Sequence, residues 1–383
     1  MDRKENTTLA FCLYRYFPHG GLQRDMRRIA LACRQRGYRI AVYTTAWEGD
    51  VPEGFELHVH RPGGLTNHSR MRRFHQWLTG QLDRRRIACV VGFNKMPGLD
   101  VYYAADGCLK ARTLEPHRRL YRWLPRYRQY QAFEEAVFGS ASRTHILMLS
   151  SIQQALYVRH YGTPAHRIHF LPPNVAKDRV AGPDAPRIRR AFRQESGLQD
   201  NDRLLLQVGS GFRTKGLDRS LRALASLPDN LRARTRFYVV GDDNRNPYVR
   251  LSRRLGIADR VTFLGPREDV PRLLLGADLL IHPAYHENTG TVLVEALAAG
   301  LPAIASAVCG YAHYVDEARA GWIVPEPFDQ QVFNRLVRDA LENDRLEEFG
   351  RRGLEFARTE ELYGMVEAAV QTIEKIASAQ TGG

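Results

Sequence analysis

Residues 281–300 read IHPAYHENTGTVLVEALAAG, an apolar run, a short polar loop and a second apolar run that begins after Gly290. The pattern predicts a strand over residues 279–282, a loop, and a helix that begins near Gly290. A helix start presents unpaired N–H groups and the positive end of the helix dipole, which suits a phosphate. Glu287 precedes this start, and Glu295 follows it by about one and a half turns. The stretch therefore predicts an anion site flanked by two carboxylates.

Four small or polar residues lie between the two glutamates, and we expect them to contact a substrate: Asn288, Thr289, Gly290 and Thr291. The layout suits a diphosphate held by backbone N–H groups, with hydroxyl groups grasped by the carboxylates on either side. The spacing on its own favours an ordinary surface helix with two glutamates, because short motifs match often by chance. Other parts of the chain reverse that judgement.

Strand-like apolar runs alternate with helical patterns along both halves of the chain. We predict strands at residues 9–13, 39–44, 89–93, 101–103, 146–150, 204–208, 237–240, 261–264, 279–282 and 303–305. Continuous apolar strands between amphipathic helices are typical of parallel sheets covered on both faces. The sequence therefore predicts an α/β protein with two doubly wound, Rossmann-like domains, whose ligands bind beyond the carboxyl ends of the strands.

The boundary between the halves is marked by Pro172 and Pro173, because two prolines end a helix and stiffen a linker. We expect a first domain at residues 1–171 and a second at residues 172–361. A last segment, residues 362–383, is predicted to be a helix to about residue 377 followed by a flexible tail.

The composition is that of a globular protein, with 44% hydrophobic and 26% charged residues in a chain of 383. Five scattered cysteines without metal-ligand spacing are typical of buried small residues in a reducing compartment. The longest apolar stretch, residues 292–308, contains Glu295, Gly300 and Pro302 and is too short to cross a bilayer. A net charge of +14 implies an acidic partner, either nucleic acid, an anionic membrane or an anionic substrate.

A first glycine loop follows the first predicted strand and contains Gly20, Gly21 and Asp25. Paired glycines between a strand and a helix let the backbone approach a phosphate or a sugar closely. A plain glycine turn fits this motif equally well, and the pattern does not match a dinucleotide-binding fingerprint.

A second loop, residues 207–217, places Arg213 and Lys215 just before a helix. Two cations at a helix start can clamp a diphosphate and neutralise the charge that develops on a nucleoside diphosphate leaving group. The turn that contains Arg267 follows another strand and fits either a substrate contact or a plain connection.

Several stretches together resemble the lipopolysaccharide core glucosyltransferases, which are retaining glycosyltransferases of the GT-B fold. They include FCLYRYFPHGGLQRD, YTTAWEGD, VGFNKMPGLDVYYAAD, HYGTPAHRIHFLPPN, LLLQVGSGF, GADLLIHPAYHENTGTVLVEALAAGLP and VCGYAHY. The resemblance covers residues 9–369. It implies two Rossmann-like domains that face a cleft, with the last helix returning to the first domain. It also implies transfer of glucose from UDP-glucose to an inner-core heptose of lipopolysaccharide, without a cofactor.

The resemblance also implies roles for individual residues. Glu287 reaches the donor sugar, Glu295 the ribose hydroxyls, and Lys215 the charge of the leaving group. Asp106 faces donor and acceptor, where it polarises the acceptor hydroxyl or holds the sugar. A loop aspartate that caps the next helix is the alternative for Asp106.

At two further positions the resemblance is less direct. The family carries an arginine where this chain has Ser210, so Arg213 is expected to substitute for it. The turn of residues 265–267, which includes Arg267, supplies backbone contacts to the base in the family.

No metal site is expected. The spacing of His282, His286 and His313 with Cys309 is not a convincing ligand set, and packing or hydrogen bonding explains these residues better. No D-x-D motif follows a predicted strand. We therefore expect a metal-independent enzyme in which Lys215 and the helix start replace the cation.

A basic stretch follows residue 106 and contains the residues that we predict to bind a membrane: Lys110, Arg112, Arg118, Arg119, Arg122, Trp123, Arg126 and Arg128. Cations beside an aromatic and aliphatic stripe that includes Leu120, Trp123 and Tyr127 suit a helix at an anionic lipid surface. An amphipathic core helix with a solvated basic face is the alternative. Nucleic-acid binding lacks any known module here.

The sequence thus favours a glycosyltransferase that acts as a monomer on the cytoplasmic face of the inner membrane, without nucleic acid as a partner. One alternative is a GT-B transferase that uses another UDP-hexose or another glycolipid acceptor. An enzyme of another class, a GT-B sugar-nucleotide epimerase, would work without an acceptor. A non-catalytic protein that binds an anionic membrane or RNA would bind its partner without turnover of UDP-glucose.

Overall fold

The computed structural model describes residues 7–18, 20–83, 86–114, 116–342 and 345–381, without the side chains of residues 116–119 and 381. The chain divides into two compact units. The first unit comprises the described residues up to Pro172 and those from Gly364 onward, and the second comprises Pro173–Tyr363.

The first unit is built on a parallel sheet of seven strands within the described residues, in the order β3-β2-β1-β4-β5-β6-β7. The strands are β1 (Thr8–Cys12), β2 (Arg39–Thr44), β3 (Phe55–Val59), β4 (Ile87–Gly92), β5 (Val101–Ala104), β6 (His145–Met148) and β7 (Ile168–Phe170). The helices between them are α1 (Gly21–Gln35), α2 (Asn67–Gln81), α3 (Leu109–Thr113), α4 (Pro125–Phe138) and α5 (Ser151–Tyr161), with 3-10 helices at Pro116–Trp123 and Ala165–Arg167.

The second unit contains a parallel sheet of six strands within the described residues, in the order β10-β9-β8-β11-β12-β13. The strands are β8 (Arg203–Val208), β9 (Thr235–Val240), β10 (Val261–Gly265), β11 (Leu279–His282), β12 (Ala303–Ser306) and β13 (Gly321–Val324). The helices are α6 (Ala185–Glu195), α7 (Leu217–Ala225), α8 (Asp229–Ala233), α9 (Asn246–Arg254), α10 (Val270–Gly276), α11 (Thr291–Ala299), α12 (Ala312–Glu317), α13 (Gln330–Glu342) and α14 (Leu346–Thr359), with 3-10 helices at Lys177–Arg179 and Ala258–Arg260.

The last helix, α15 (Met365–Thr381), packs on the first unit, where Val370 and Ile373 join its core. Arg36, the residue that follows α1, forms ion pairs with Glu367 and Glu374 of α15. The helix continues to residue 381, so most of the predicted flexible tail is helical. The end of that predicted tail, residues 382–383, lies outside the described residues.

Both sheets form because their central strands are apolar throughout. All six residues of β4 and all four of β11 are buried, as expected for strands covered by helices on both faces. These sheets confirm the predicted α/β class. In a parallel sheet the carboxyl ends of the strands lie at one edge, so the loops after β8 and β11 become neighbours in the second unit.

Candidate active site

The loop after β11 brings Glu287 into contact with two other side chains. Glu287 forms an ion pair with Lys215, and its Oε2 accepts a hydrogen bond of 3.0 Å from Nε2 of His282. His282 is the last residue of β11 and is buried, which fixes its ring. The carboxylate of Glu287 is therefore held on two sides at the carboxyl edge of the sheet.

The start of α11 depends on Gly290, which adopts a left-handed conformation with φ of 82°. A Cβ at this position would lie 3.4 Å from Cγ of Glu287 and 3.3 Å from Cδ1 of Leu293. Residues with a Cβ rarely adopt this backbone conformation. The backbone N–H of Tyr311 donates to the carbonyl of Thr289 at 2.7 Å. These features fix the loop that precedes α11, so its helix start stays beside Glu287.

The loop after β8 carries Lys215 into the site. Gln207, buried at the end of β8, donates from Nε2 to the Lys215 carbonyl at 2.9 Å. Gly216 has φ of 70°, and a Cβ there would overlap the carbonyl oxygen of Pro283. The chain can pass this close to the loop after β11 because residue 216 is a glycine.

The electrostatics of Glu287 favour its ionised form. Burial raises the pKa of this carboxyl, but the hydrogen bond from His282 and the charge of Lys215 outweigh burial and lower the pKa from 4.5 to about 2. The nearby thiol of Cys309 responds in the opposite way, because burial and the charge of Glu287 raise its pKa to about 12. The site thus presents a fixed carboxylate and a paired cation beside a neutral thiol.

Glu295 lies on α11 with a partly exposed side chain, and its Oε1 is 3.9 Å from Nε of Arg179. Asn288 and Thr289 are also partly exposed in the loop before this helix, and Thr291 is exposed at its first position. The structure therefore brings most of the residues predicted from the 281–300 stretch to one helix start.

The two other cations predicted to contact the substrate, Arg213 and Arg267, have different surroundings. Arg213 has an exposed side chain two residues before Lys215. Arg267 donates two hydrogen bonds, of 2.7 and 2.6 Å, to the carboxylate of Asp269 at the start of α10. The side chain of Arg267 therefore pairs within its own turn, and the contact of this turn with a substrate stays a prediction.

In the first unit, Gly20 precedes α1 with φ of −78°, so neither strain nor a left-handed conformation requires the glycine. A Cβ at Gly20 would overlap the side-chain amide of Gln23 and approach the Phe17 ring to 2.7 Å, so a larger residue would displace these side chains. Gly21 has open space around it. Asp25, further along α1, accepts a hydrogen bond of 2.8 Å from the Tyr103 hydroxyl, and burial raises the pKa of this carboxyl.

Asp106 has an exposed side chain in the turn after β5, and its carbonyl accepts a hydrogen bond of 2.9 Å from the Tyr157 hydroxyl. The helix that follows begins after Cys108 without a side-chain cap from Asp106. Its first N–H groups, on Leu109 and Lys110, donate instead to Glu134 on α4. The alternative role of Asp106 as a helix cap is therefore wrong.

Glu134 is fully buried and organises the Asp106 turn. Its carboxylate accepts a hydrogen bond of 2.6 Å from Tyr161 and pairs with the ammonium of Lys95, which also donates to the Gly107 carbonyl at 2.9 Å. Burial raises the pKa of Glu134, but the charge of Lys95 and these hydrogen bonds outweigh it, so the pKa is lowered overall. The carboxylate is thus ionised behind the turn.

Sequence reasoning missed Glu134 and Lys95, although a signal was present. Glu134 follows the apolar Phe133 and precedes Val137 and Phe138 by three and four residues, which places an acid on the buried face of α4. An acid at such a position requires a buried partner, and Lys95 lies in the loop after β4.

Within the described ranges, no group of three or more histidine, cysteine, aspartate or glutamate side chains is arranged to hold a metal ion. The helices in the same part of the chain include none that is both long and apolar enough to cross a membrane.

Comparison with known proteins identifies the family. The family model described as "Glycosyl transferases group 1" matches residues 188–355. The chain is 44% identical over 366 residues to the lipopolysaccharide glucosyltransferase WaaG of Escherichia coli strain K12, covering 95% of this chain and 98% of that protein. The chain belongs to the WaaG family of glycosyltransferases.

The glycosyltransferase fold is shared by solved structures. A crystal structure of WaaG, described as involved in lipopolysaccharide biosynthesis, matches with a TM-score of 0.89 and covers 95% of this chain and 99% of that one. HepE of Anabaena, solved with UDP-glucose, matches with a TM-score of 0.71 over 97% of this chain and 99% of that one. Its sequence identity is 18%, so this similarity supports the fold only. The resemblance inferred from the sequence, the GT-B class and the hexosyltransferase class are confirmed.

The second unit should depend on the contacts of Glu287 to stay folded in acid. Because the folded pKa of Glu287 is about 2, the carboxylate and its contribution to stability are complete above pH 4.5 and are lost as pH falls toward 2. Lys215→Met removes one cause of that low value, so the loss of stability should begin at a higher pH. Urea unfolding of both proteins at a series of pH values between about 2 and 6 measures this. Identical pH profiles for both proteins would contradict it.

Removal of one partner from the buried pair in the first unit should destabilise the protein strongly. Glu134→Gln leaves the ammonium of Lys95 without a counter-charge and should lower the free energy of unfolding by about 3–5 kcal/mol. The neighbouring Glu135 is exposed, so Glu135→Gln should change it by less than about 0.5 kcal/mol. Urea unfolding of both variants compares these values, and equal midpoints would show that the pair has no such role.

Proposed function

We propose that this glycosyltransferase transfers glucose from UDP-glucose to an inner-core heptose of lipopolysaccharide, with retention of anomeric configuration. The observation that carries the proposal is the placement of Lys215 and Glu287 against each other beside the start of α11. A bound diphosphate would meet a cation and unpaired helix N–H groups, and a sugar would meet a fixed carboxylate. The identity to WaaG along 95% of the chain supports the donor and acceptor.

In the proposed donor complex, Glu295 binds the ribose hydroxyls and Lys215 neutralises charge on the departing UDP. The partial exposure of Glu295 on α11 supports its access to a ligand. Lys215 and the start of α11 supply the positive charge that a metal ion provides in other transferases, so no metal or cofactor is proposed. Arg213, exposed at the same loop, is proposed as a second phosphate contact.

In the proposed transfer step, the bond between the anomeric carbon and the UDP oxygen breaks as the acceptor oxygen bonds to the same face. The acceptor proton passes to the departing diphosphate. Asp106, exposed in the turn held by Glu134, is proposed to polarise the acceptor hydroxyl or to hold the sugar. Gly20, Gly21 and Asp25 are proposed to line the same domain's substrate surface.

A transfer assay tests the function. Purified protein with UDP-glucose should release UDP and glucosylate a heptose-terminated core lipid, and it should release little UDP when the acceptor is left out. UDP-galactose serves as the competing donor. Conversion of UDP-glucose to an isomeric sugar nucleotide without acceptor would instead indicate an epimerase, and binding of the lipid without turnover would indicate a non-catalytic protein.

Glu295→Ala should weaken UDP binding by about tenfold to a hundredfold, because a charge-assisted hydrogen bond contributes about 1.5–3 kcal/mol. Glu355→Ala, which changes an exposed glutamate on α14, is the matched control and should bind UDP normally. Isothermal titration calorimetry gives both dissociation constants. An unchanged affinity for Glu295→Ala would remove its ribose role.

We also propose that the segment from Lys110 to Arg128 docks the protein on the anionic cytoplasmic face of the inner membrane. Leu120 and Trp123 are 83% and 74% exposed on the 3-10 helix that precedes α4. Arg122, Arg126 and Arg128 are exposed beside them. Large apolar side chains that protrude among cations suit the interface between lipid headgroups and acyl chains.

Two residues that the sequence suggested for this surface, Tyr127 and Lys110, make contacts within the protein instead. Tyr127 is buried in the core, so it does not belong to the exposed aromatic stripe that the sequence suggested. The ammonium of Lys110 donates to the His160 carbonyl at 2.7 Å and lies 4.7 Å from the Tyr161 ring centroid, so it serves packing. Arg112 is exposed, while the side chains of Arg118 and Arg119 lie outside the described residues.

Replacement of four arginines by glutamine, at Arg118, Arg119, Arg122 and Arg126, should abolish binding to anionic vesicles. Wild-type binding should weaken with salt, because screening shortens to about 8 Å at physiological ionic strength. A control with the same charge change replaces four exposed arginines of the second unit: Arg250, Arg253, Arg254 and Arg358. Vesicle flotation at low salt compares the three proteins, and equal binding by all three would refute the membrane role.

A further inference from the structure

We propose that Arg219 is a positioning residue for the nucleotide-sugar site, because it fastens the loop after β11 to the start of α7 and so sets the contact between Lys215 and Glu287. Arg219 lies on α7, four residues after Lys215. It is not proposed to touch the substrate. The consequence for turnover rests on the function proposed above, whereas the positioning itself does not.

The guanidinium of Arg219 makes four contacts on three sides. Its Nη1 donates to the carbonyl oxygens of Pro283 and Ala284, at 3.1 and 3.0 Å. Its central carbon lies 3.6 Å from the ring centroid of Tyr285 and 3.6 Å from that of Phe328. One side chain therefore holds three consecutive residues of the loop that leads to Glu287.

Other contacts fasten the same two segments together. The N–H of Tyr285 donates to the Thr214 carbonyl at 2.8 Å, and its hydroxyl donates to Asp218 at 3.1 Å. Gly216 permits the close approach of the Pro283 carbonyl described above. The residues on either side of Lys215 are thus bonded to the residues just before Glu287, with Arg219 at the centre of the junction.

The chemistry of this junction is specific to arginine. A planar guanidinium stacks between two aromatic rings and still directs N–H groups at carbonyl oxygens in its plane. A lysine carries a compact charge that cannot do both. Loss of the junction would free the loop, and the ionised Glu287 would then lose its fixed distance from Lys215.

The matched control is Arg222, which lies three residues later on the same helix. It forms an ion pair with Asp218, and its side chain is 48% exposed. Arg222→Met therefore removes a charge from α7 and the ion pair of Asp218, while Pro283, Ala284 and the Tyr285 hydroxyl keep their hydrogen-bond partners. Arg219→Met keeps an apolar side chain between the two rings but removes the donors, and Arg219→Lys keeps the charge.

The positioning is measured directly by amine labelling. The chain has few lysines, so acylation of each can be followed by mass spectrometry of peptides. Lys215, which is 20% exposed and paired with Glu287, should react slowly relative to the exposed Lys177 in the same unit. Arg219→Met should accelerate labelling of Lys215 by about tenfold, Arg219→Lys by less, and Arg222→Met should leave it unchanged.

Turnover provides the second measurement. For Arg219→Met, kcat/KM for UDP-glucose should fall about tenfold, and activity should be lost at a higher pH than in the wild type. If Arg219 only stabilised the fold, its replacement would lower the unfolding temperature without changing the pH at which activity is lost in acid. If Arg219→Met does not fold, Arg219→Lys and Phe328→Leu provide the comparison.

Wild-type labelling rates at Lys215 in Arg219→Met and Arg219→Lys would overturn the proposal, as would equal acceleration by Arg222→Met. A wild-type protein that does not turn over UDP-glucose would overturn the proposed function instead. Labelling of Lys215 in the absence of any nucleotide would still decide the role of Arg219 in that case.

Discussion

The contacts that the carboxylate of Glu287 makes with Lys215 and His282 are the interaction on which the geometry of the second unit's candidate site depends. Three segments must meet to form it: the end of β11, the loop after it and the loop after β8. The parallel sheet brings those segments to one edge, and Gly216, Gly290 and the buried Gln207 let the backbones pass close enough. The hydrogen bond from His282 and the ion pair with Lys215 together outweigh burial and keep the carboxylate charged, beside a helix start that favours a second, bound anion.

The first unit also contains a buried carboxylate that pairs with a lysine beside a loop. A buried carboxylate, Glu134, pairs with Lys95 and accepts the first N–H groups of α3, which leaves Asp106 exposed on an ordered turn. In both units an ion pair with little exposure holds the backbone of a loop. Such pairs contribute little net stability, but removing one partner is costly, so they fix a geometry more than they stabilise a fold.

The central strands and the helix start at Gly290 could be predicted from the local sequence. The strands are continuous apolar runs, and the helix begins after a glycine. The strands β3, β7 and β13 were not predicted, since they mix exposed or half-buried residues and do not present a continuous apolar run. Arg219 and Glu134 were also missed, because their partners lie 64 and 39 residues away in sequence. Tyr127 was misplaced because helical spacing alone does not show which face of a helix meets the core.

The most direct test of this account is a double-mutant cycle between Lys215 and Glu287, using Lys215→Met, Glu287→Gln and the double variant. The quantity measured is kcat/KM for UDP-glucose with a heptose-terminated acceptor. If the two side chains act as one unit, the double variant should be little worse than either single variant, with a coupling energy above about 1 kcal/mol. Additive losses from the two substitutions would show that the residues act independently and would contradict the account.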